Sequence, residues 1–325
     1  MDFVNSTAAP AAFVNTTFGA QRMMAAVIAR PAFRVEDGRL LPDPQFHWPA
    51  GRDMPYLTGG IDVFVLGSLW QPESRPGMEL TAEIRVGERL RRRITAIGDR
   101  RWVRGNGTLV PGAPEPFVSM PLSWERAFGG AVETENGPCA WPANPAGRGF
   151  YLTADQAEGQ RLPNLEDPER RIASFEDRPE PVATEPYPPE GSRIMERAVE
   201  LDLDSSNPGL KGIRPLMFNR AHPRMILAPA DTPRQGEIVE ITHASPAGAL
   251  RFALPELAFH VRVELENRRY HFPLHLDQIA VLLGERRVVL GFRVVFKYRL
   301  VKGERRRTAL CEGAVPEGES GSSRE

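Results

Sequence analysis

Four short blocks gather the residue types that do chemistry: GDRRW (98–102), MPLSWERAFGG (120–130), NPAGRGF (144–150) and LPNLEDP (162–168). Their acids, Asp99, Glu125, Glu166 and Asp167, are the kind a glycoside hydrolase uses in pairs about 5–10 Å apart. Spacing along the chain does not set that distance. Each acid also has arginine close by: Asp99 precedes Arg100 and Arg101, Glu125 precedes Arg126, and Glu166-Asp167 precede Arg170 and Arg171. A nearby guanidinium keeps a carboxylate ionised, which suits ion pairing better than a general acid with a raised pKa. Adjacent residues of extended chain point opposite ways, so the partners are expected at a distance in sequence. The reading is a structural network, with carboxylate catalysis as the alternative.

Other chemistries find less support. There is no GxSxG elbow, and neither Cys139 nor Cys311 sits in a nucleophile context. No lysine follows a Gly run as a Walker A loop requires. Gly147 and Gly149 form a GxG that neither follows a strand nor opens a helix, so they read as turn residues and no cofactor is expected. In HFPLHLD, His271, His275 and Asp277 would share one face of an extended strand, and two His with a carboxylate can hold a transition metal. The i, i+4 spacing spans about 13 Å on a strand, too far for one ion unless the chain bends at Pro273. No metal is expected.

The elements that must position these residues follow from patterning. The 325 residues suffice for one large domain or two ordinary ones, and 41% hydrophobic with 26% charged residues is a globular composition. Residues 13–103 read as short strands and turns. In MELTAEIRV, Leu80, Ala82, Ile84 and Val86 alternate with polar residues; Gly87-Glu88 turns the chain, and RLRRRITAI returns with an Arg-rich exposed face. GIDVFVLGSLW (60–70) is an apolar strand. Residues 104–235 are irregular: Pro138 to Pro233 hold 15 of the 31 prolines, and proline removes a donor and fixes φ. Only 190–204 could hold a helix, with Ser192 as N-cap. The aromatics Phe117, Trp124, Phe128, Trp141, Phe150 and Tyr151 argue that the excursion is ordered. Residues 236–300 return to strands and read as an antiparallel meander. The expected fold is mainly β: an antiparallel sandwich or barrel-like body over residues 1–312, built by both ends of the chain, with a disordered tail at 313–325.

Charge and apolar content narrow the partners. Forty-one basic residues nearly balance 42 acidic ones, so nothing pulls the chain as a whole toward nucleic acid or anionic membrane. The longest apolar candidate, MMAAVI (23–28), is far short of a membrane helix. MDFVNSTAAP has no basic n-region, so we expect no signal peptide and a cytoplasmic protein. Two cysteines 172 positions apart fit a reducing compartment.

The four blocks, in this order and spacing, resemble a bacterial family catalogued as a domain of unknown function (2169) and found beside type VI secretion genes. APADTPRQGE (228–237), FALP (252–255) and HLDQIAVLLGERRVVLGFR (275–293) also look like its later blocks, so the resemblance covers roughly 13–295. Trp124 stands where the family usually carries Tyr, and the stretch after Gly191 lacks the expected Trp-rich pattern. The resemblance implies a non-enzymatic adaptor or chaperone that binds a secreted effector and helps mount it on the spike and PAAR-type tip. Oligomeric state is left open. On this reading Asp99, Arg100, Trp102, Trp124, Glu125, Arg126, Phe128, Asn144, Arg148, Phe150, Asn164, Glu166, Asp167 and Asp277 are motif residues that order the loop and meet a partner. The alternative is a carbohydrate-active β-protein, either a lectin or a carboxylate-pair glycoside hydrolase.

Overall fold

Strands from both ends of the chain interleave in the same sheets. A computed structural model describes residues 1–17, 22–48, 58–105, 107–187, 219–265, 268–299, 301, 303 and 305–316. The protein is mainly β, arranged in several open sheets, with one four-residue α-helix, Ala154–Ala157, among the described residues. None of the described sheets closes into a barrel.

The eight-stranded sheet is the centre of the body. Ile61–Leu66 runs parallel to His275–Leu282, joining residues from opposite ends of the chain. His275–Leu282 pairs antiparallel with Arg287–Arg299, which in turn carries Arg22–Ala29 and Ala32–Glu36. These inner strands are covered on both faces, so Ile61, Val63, Phe64 and Val65 are all buried. That is why their sequences are continuous apolar runs and not alternating ones. The four-stranded sheet also joins both termini, Asp2–Asn5 lying parallel to Arg306–Glu312. It packs on the central sheet through ring contacts such as Phe259–Phe292 (5.2 Å) and Phe272–Phe296 (5.3 Å), the arrangement of a β-sandwich.

The five-stranded sheet contains the hairpin Glu79–Val86 and Leu90–Ile97, paired from Val86↔Leu90 to Glu79↔Ile97. Gly87 takes φ 51° at its turn, a conformation that glycine adopts at no steric cost. Leu80, Ala82, Ile84 and Val86 face the core as the alternation requires.

Three expectations need correction. The strands from 236 to 300 are not one meander: Ile238–Ser245 and Gly248–Ala253 join the five-stranded sheet, Phe259–Leu265 and Arg268–Pro273 the four-stranded one, and His275–Leu282 and Arg287–Arg299 the central one. Local pattern identifies hairpins but carries no information on which sheet takes each. The RLRRR face is not uniformly exposed, because Arg92 falls on the inward parity and is buried. Strands also extend beyond the expected limits, from Asp2–Asn5 to Arg306–Glu312. The expected helix at 190–204 lies outside the described residues, as do residues 317–325 of the expected tail.

Candidate functional site

Between Trp102–Gly105 and Ile238–Ser245, no described element exceeds four residues. Backbone in such a segment finds few ladder partners, yet buried N–H and C=O groups must be paired. Scattered backbone–backbone bonds pair part of it, and side chains of the four sequence blocks add further bonds.

All four blocks meet at Asn164, which is fully buried. Its Nδ2 donates to the Ile97 carbonyl and to Asp99 Oδ1, both at 2.9 Å. Its Oδ1 accepts from Arg126 Nη1 (3.1 Å) and Arg148 Nη1 (3.3 Å). Its backbone N–H reaches the Arg126 carbonyl, and its carbonyl accepts from the Ile97 N–H, each at 2.8 Å. Every polar group of Asn164 is used. Asp99 also faces Arg126 Nη1 at 3.4 Å. Burial opposes ionisation of Asp99, but the Asn164 amide and the Arg126 charge outweigh it and hold its pKa below the usual value.

A second cluster closes on Glu166 and Asp167. Glu166 is buried, accepting from Arg100 Nη2, Arg171 Nε (3.2 Å) and the Ile172 N–H (3.3 Å). Arg171 continues to Glu79 through two bonds of 2.8 and 2.9 Å, tying the excursion to the first strand of the hairpin. Burial nevertheless raises the Glu166 pKa, outweighing Arg100, the Ile172 N–H and Arg171. Asp167 accepts from Arg92 Nη1 (2.9 Å), Arg224 Nη1 (2.7 Å) and the Glu169 N–H (3.0 Å). For Asp167 the burial penalty is outweighed by the Glu169 N–H and Arg92, and its pKa is lowered.

Asn144 ties the neighbouring loop in the same manner. Its Nδ2 donates to the Trp124 (2.8 Å) and Phe128 (3.1 Å) carbonyls. Its own carbonyl accepts from Gly130 (2.9 Å) and Gly147 (3.2 Å). Gly129 has φ 146°, and a Cβ there would overlap that carbonyl; the GG of the block is therefore a close-approach requirement. Gly129 and Gly149 pair in a short parallel ribbon.

Aromatic anchors complete the assembly. Trp124 is buried edge-on against Tyr187 at 4.5 Å, and its N–H and Nε1 reach Glu185 Oε1 (2.8 Å) and the Glu185 carbonyl (3.1 Å). Phe128 and half-buried Phe150 both contact Trp141 at 5.4 Å. Trp102 meets Phe175 at 5.9 Å in the same small core as Phe128. Full burial of rings this size contributes about 2–3 kcal/mol each.

The sequence neighbours do not pair with one another, and partners distant in sequence take their place. Arg100 bonds Glu166 and not Asp99, while Arg126 bonds Asp99 and Asn164 and not Glu125. Neighbours in extended chain diverge, which separates them. Glu125 is exposed: its carboxylate accepts from Ser123 Oγ (2.6 Å), and its carbonyl from Arg148 Nε (2.7 Å). Asp277 lies outside this assembly, on the central sheet, between Arg30 Nη1 (3.1 Å) and Arg293 Nε (2.6 Å). Burial opposes its ionisation, but the two guanidinium groups prevail and lower its pKa. His271 shares no strand with Asp277, because the chain leaves the four-stranded sheet at Pro273 and enters the central sheet at His275; His275 begins the strand that holds Asp277, where the register shifts between Leu276 and Gln278. Among the described residues no cluster of His, Cys, Asp and Glu could hold a metal ion.

Sequence reasoning missed Asp62. It is buried, and its carboxylate is held by amides: it accepts from Asn219 Nδ2 (2.9 Å) and from the backbone N–H groups of Arg220 (2.9 Å) and Ala221 (3.1 Å). Burial raises its pKa to about 6 against those three donors, with the nearby Asp277 charge adding to the rise. A lone acid inside the apolar run GIDVFV was the available signal.

Residues 7–293 match the model of a family described as "Uncharacterized protein conserved in bacteria (DUF2169)". No curated protein and no solved structure matches the chain.

Proposed function

The chain belongs to this uncharacterized bacterial family, and on that premise we propose that it is a non-enzymatic adaptor or chaperone. In this reading it binds a type VI secretion effector in the cytoplasm and helps load it onto the spike and PAAR-type tip. The observation that carries the non-enzymatic reading is the closure of all four blocks on Asn164 and Glu166. Asp99, Glu166 and Asp167 each accept from arginine or from buried amide groups. Carboxylates engaged in this way fix backbone and are poorly placed to exchange protons with a substrate. What they build is a stiff excursion on a β body, the kind of surface on which aromatic and arginine anchors make protein contacts. The effector and the tip enter through the family resemblance of the sequence blocks.

Co-expression with the product of a neighbouring effector-like gene tests this. The expected result is a stable complex that co-purifies, with release that needs no nucleotide. Failure to form a complex with any such neighbour contradicts the adaptor reading. Glycoside turnover by the purified chain, abolished by Glu166→Gln while the fold persists, would favour the carbohydrate-active alternative.

A further inference from the structure

Among the described residues, one end of the molecule gathers exposed arginines, in a chain whose 41 basic and 42 acidic residues nearly cancel. Arg22 and Arg299 stand directly opposite each other in neighbouring strands of the central sheet, and both are exposed. On the four-stranded sheet, Leu265 is flanked in register by Arg268 on one side and Arg306 on the other. The two groups adjoin, because the Arg306 guanidinium lies 5.9 Å from the Tyr298 ring, next in sequence to Arg299. Arg307 pairs in register with Glu264, which is already engaged by Arg262 (3.1 Å) and Arg269 (3.7 Å). Among the described residues, Arg22, Arg268, Arg299 and Arg307 have no carboxylate within ion-pair distance.

Like charges placed opposite each other across strands are destabilising. An anionic partner would reverse that cost, and arginine's planar fork matches a carboxylate in two parallel bonds. We propose that this end docks an acidic, extended polypeptide segment of a partner protein, seated along the outer edge of Arg268–Pro273. That strand ends the four-stranded sheet, so one side of its backbone has no strand partner among the described residues, and strand addition is a common mode of peptide capture. Nucleic acid is the less favoured occupant. The rings here stack on one another, Phe272 on Phe296 at 5.3 Å and Tyr270 on Phe272 at 6.5 Å, and do not stand out as a platform for bases. The inference rests on the adaptor reading only in taking the partner to be a protein.

The test is fluorescence anisotropy of the full chain with a labelled poly-glutamate peptide, beside a labelled single-stranded oligonucleotide of equal charge. The expected result is saturable peptide binding that weakens with salt and falls about tenfold or more in Arg268→Glu/Arg299→Glu. The milder Arg22→Gln/Arg307→Gln pair falls in the same direction, which keeps the test valid if the charge reversal impairs folding. Arg93→Glu, exposed on the five-stranded sheet, leaves binding unchanged. The proposal is overturned by absence of peptide binding, by equal binding in both double variants, or by tighter binding of the oligonucleotide with the same sensitivity. Because the probe is a peptide and not an effector, failure here leaves the co-purification test of the adaptor reading intact.

Discussion

The sheets and the excursion satisfy their backbones by different means, although they share one molecule and meet at common residues. In the hairpin of Glu79–Val86 and Leu90–Ile97, N–H and C=O groups pair across strands and side chains are left to pack. In the blocks from Asp99 to Asp167, irregular backbone–backbone bonds are tied together by side-chain bonds from a few buried amides and carboxylates. A ladder spreads its dependence over many residues. The excursion concentrates it on Asn144, Asn164 and Glu166, so single substitutions should separate the two regions clearly.

The largest effect is expected at Glu166→Ala, which leaves the buried Arg100 uncompensated and costs about 3–5 kcal/mol. Urea unfolding would measure it, and binding to the co-purified partner should fall with it. A loss below about 1 kcal/mol would mean that Arg100 finds another acceptor. Asp62 bridges the two regions, since it is a central-sheet residue whose carboxylate oxygens hold Asn219 to Ala221 at the return of the excursion. Its folded pKa of about 6 lies above the ordinary value of 3.8, so the native state binds the proton more tightly. Its stability contribution is complete below pH about 4 and is lost as pH rises through about 6, amounting to roughly 3 kcal/mol. Asp99, Asp167 and Asp277 act oppositely, losing their contribution as pH falls through their lowered pKa values. Stability measured from pH 4 to 7 should therefore fall by less in Asp62→Asn than in the parent chain, the raised pKa of Glu166 adding a decline of the same sign to both.

Asn164→Ala removes donors and acceptors from all four blocks and should cost about 2–4 kcal/mol. Thr81→Ala, which breaks the Thr81–Thr95 hydroxyl contact of 3.0 Å while sparing the ladder, should cost about 1 kcal/mol. Comparable losses at the two sites would erase the distinction between the regions. The smallest effects belong to the rim, where Arg126 is half-buried and Glu125 exposed. Arg126→Ala should cost about 1 kcal/mol and Glu125→Ala should leave Tm unchanged, because its carboxylate meets only Ser123 among the described residues.

The difference between the regions also explains what was legible in the sequence. Period-2 alternation placed Leu80, Ala82, Ile84 and Val86 on the core face, because a strand's facing depends on its own residues. The expectation of distant ion pairs followed from local geometry, and Arg100–Glu166 is 66 positions apart. The particular partners were not legible, since Arg92 and Arg224 reach Asp167 only after the hairpin and the return segment have been placed. Arg92 lay within the right periodicity, but its charge suggested solvent. The distribution of three hairpins over three sheets is set by long-range packing, on which local pattern is silent.

Amide hydrogen exchange, compared between the parent chain and Asn164→Ala, tests most directly whether the excursion is held as one side-chain-tied unit. The account predicts that the N–H groups of Ile97, Gly130, Gly147, Leu162 and Asn164, all bonded to backbone carbonyls, are protected in the parent like the hairpin amides. In Asn164→Ala they should lose protection together while the hairpin interior keeps its own. Rapid exchange of these amides in the parent, or loss confined to the neighbours of residue 164, would contradict it.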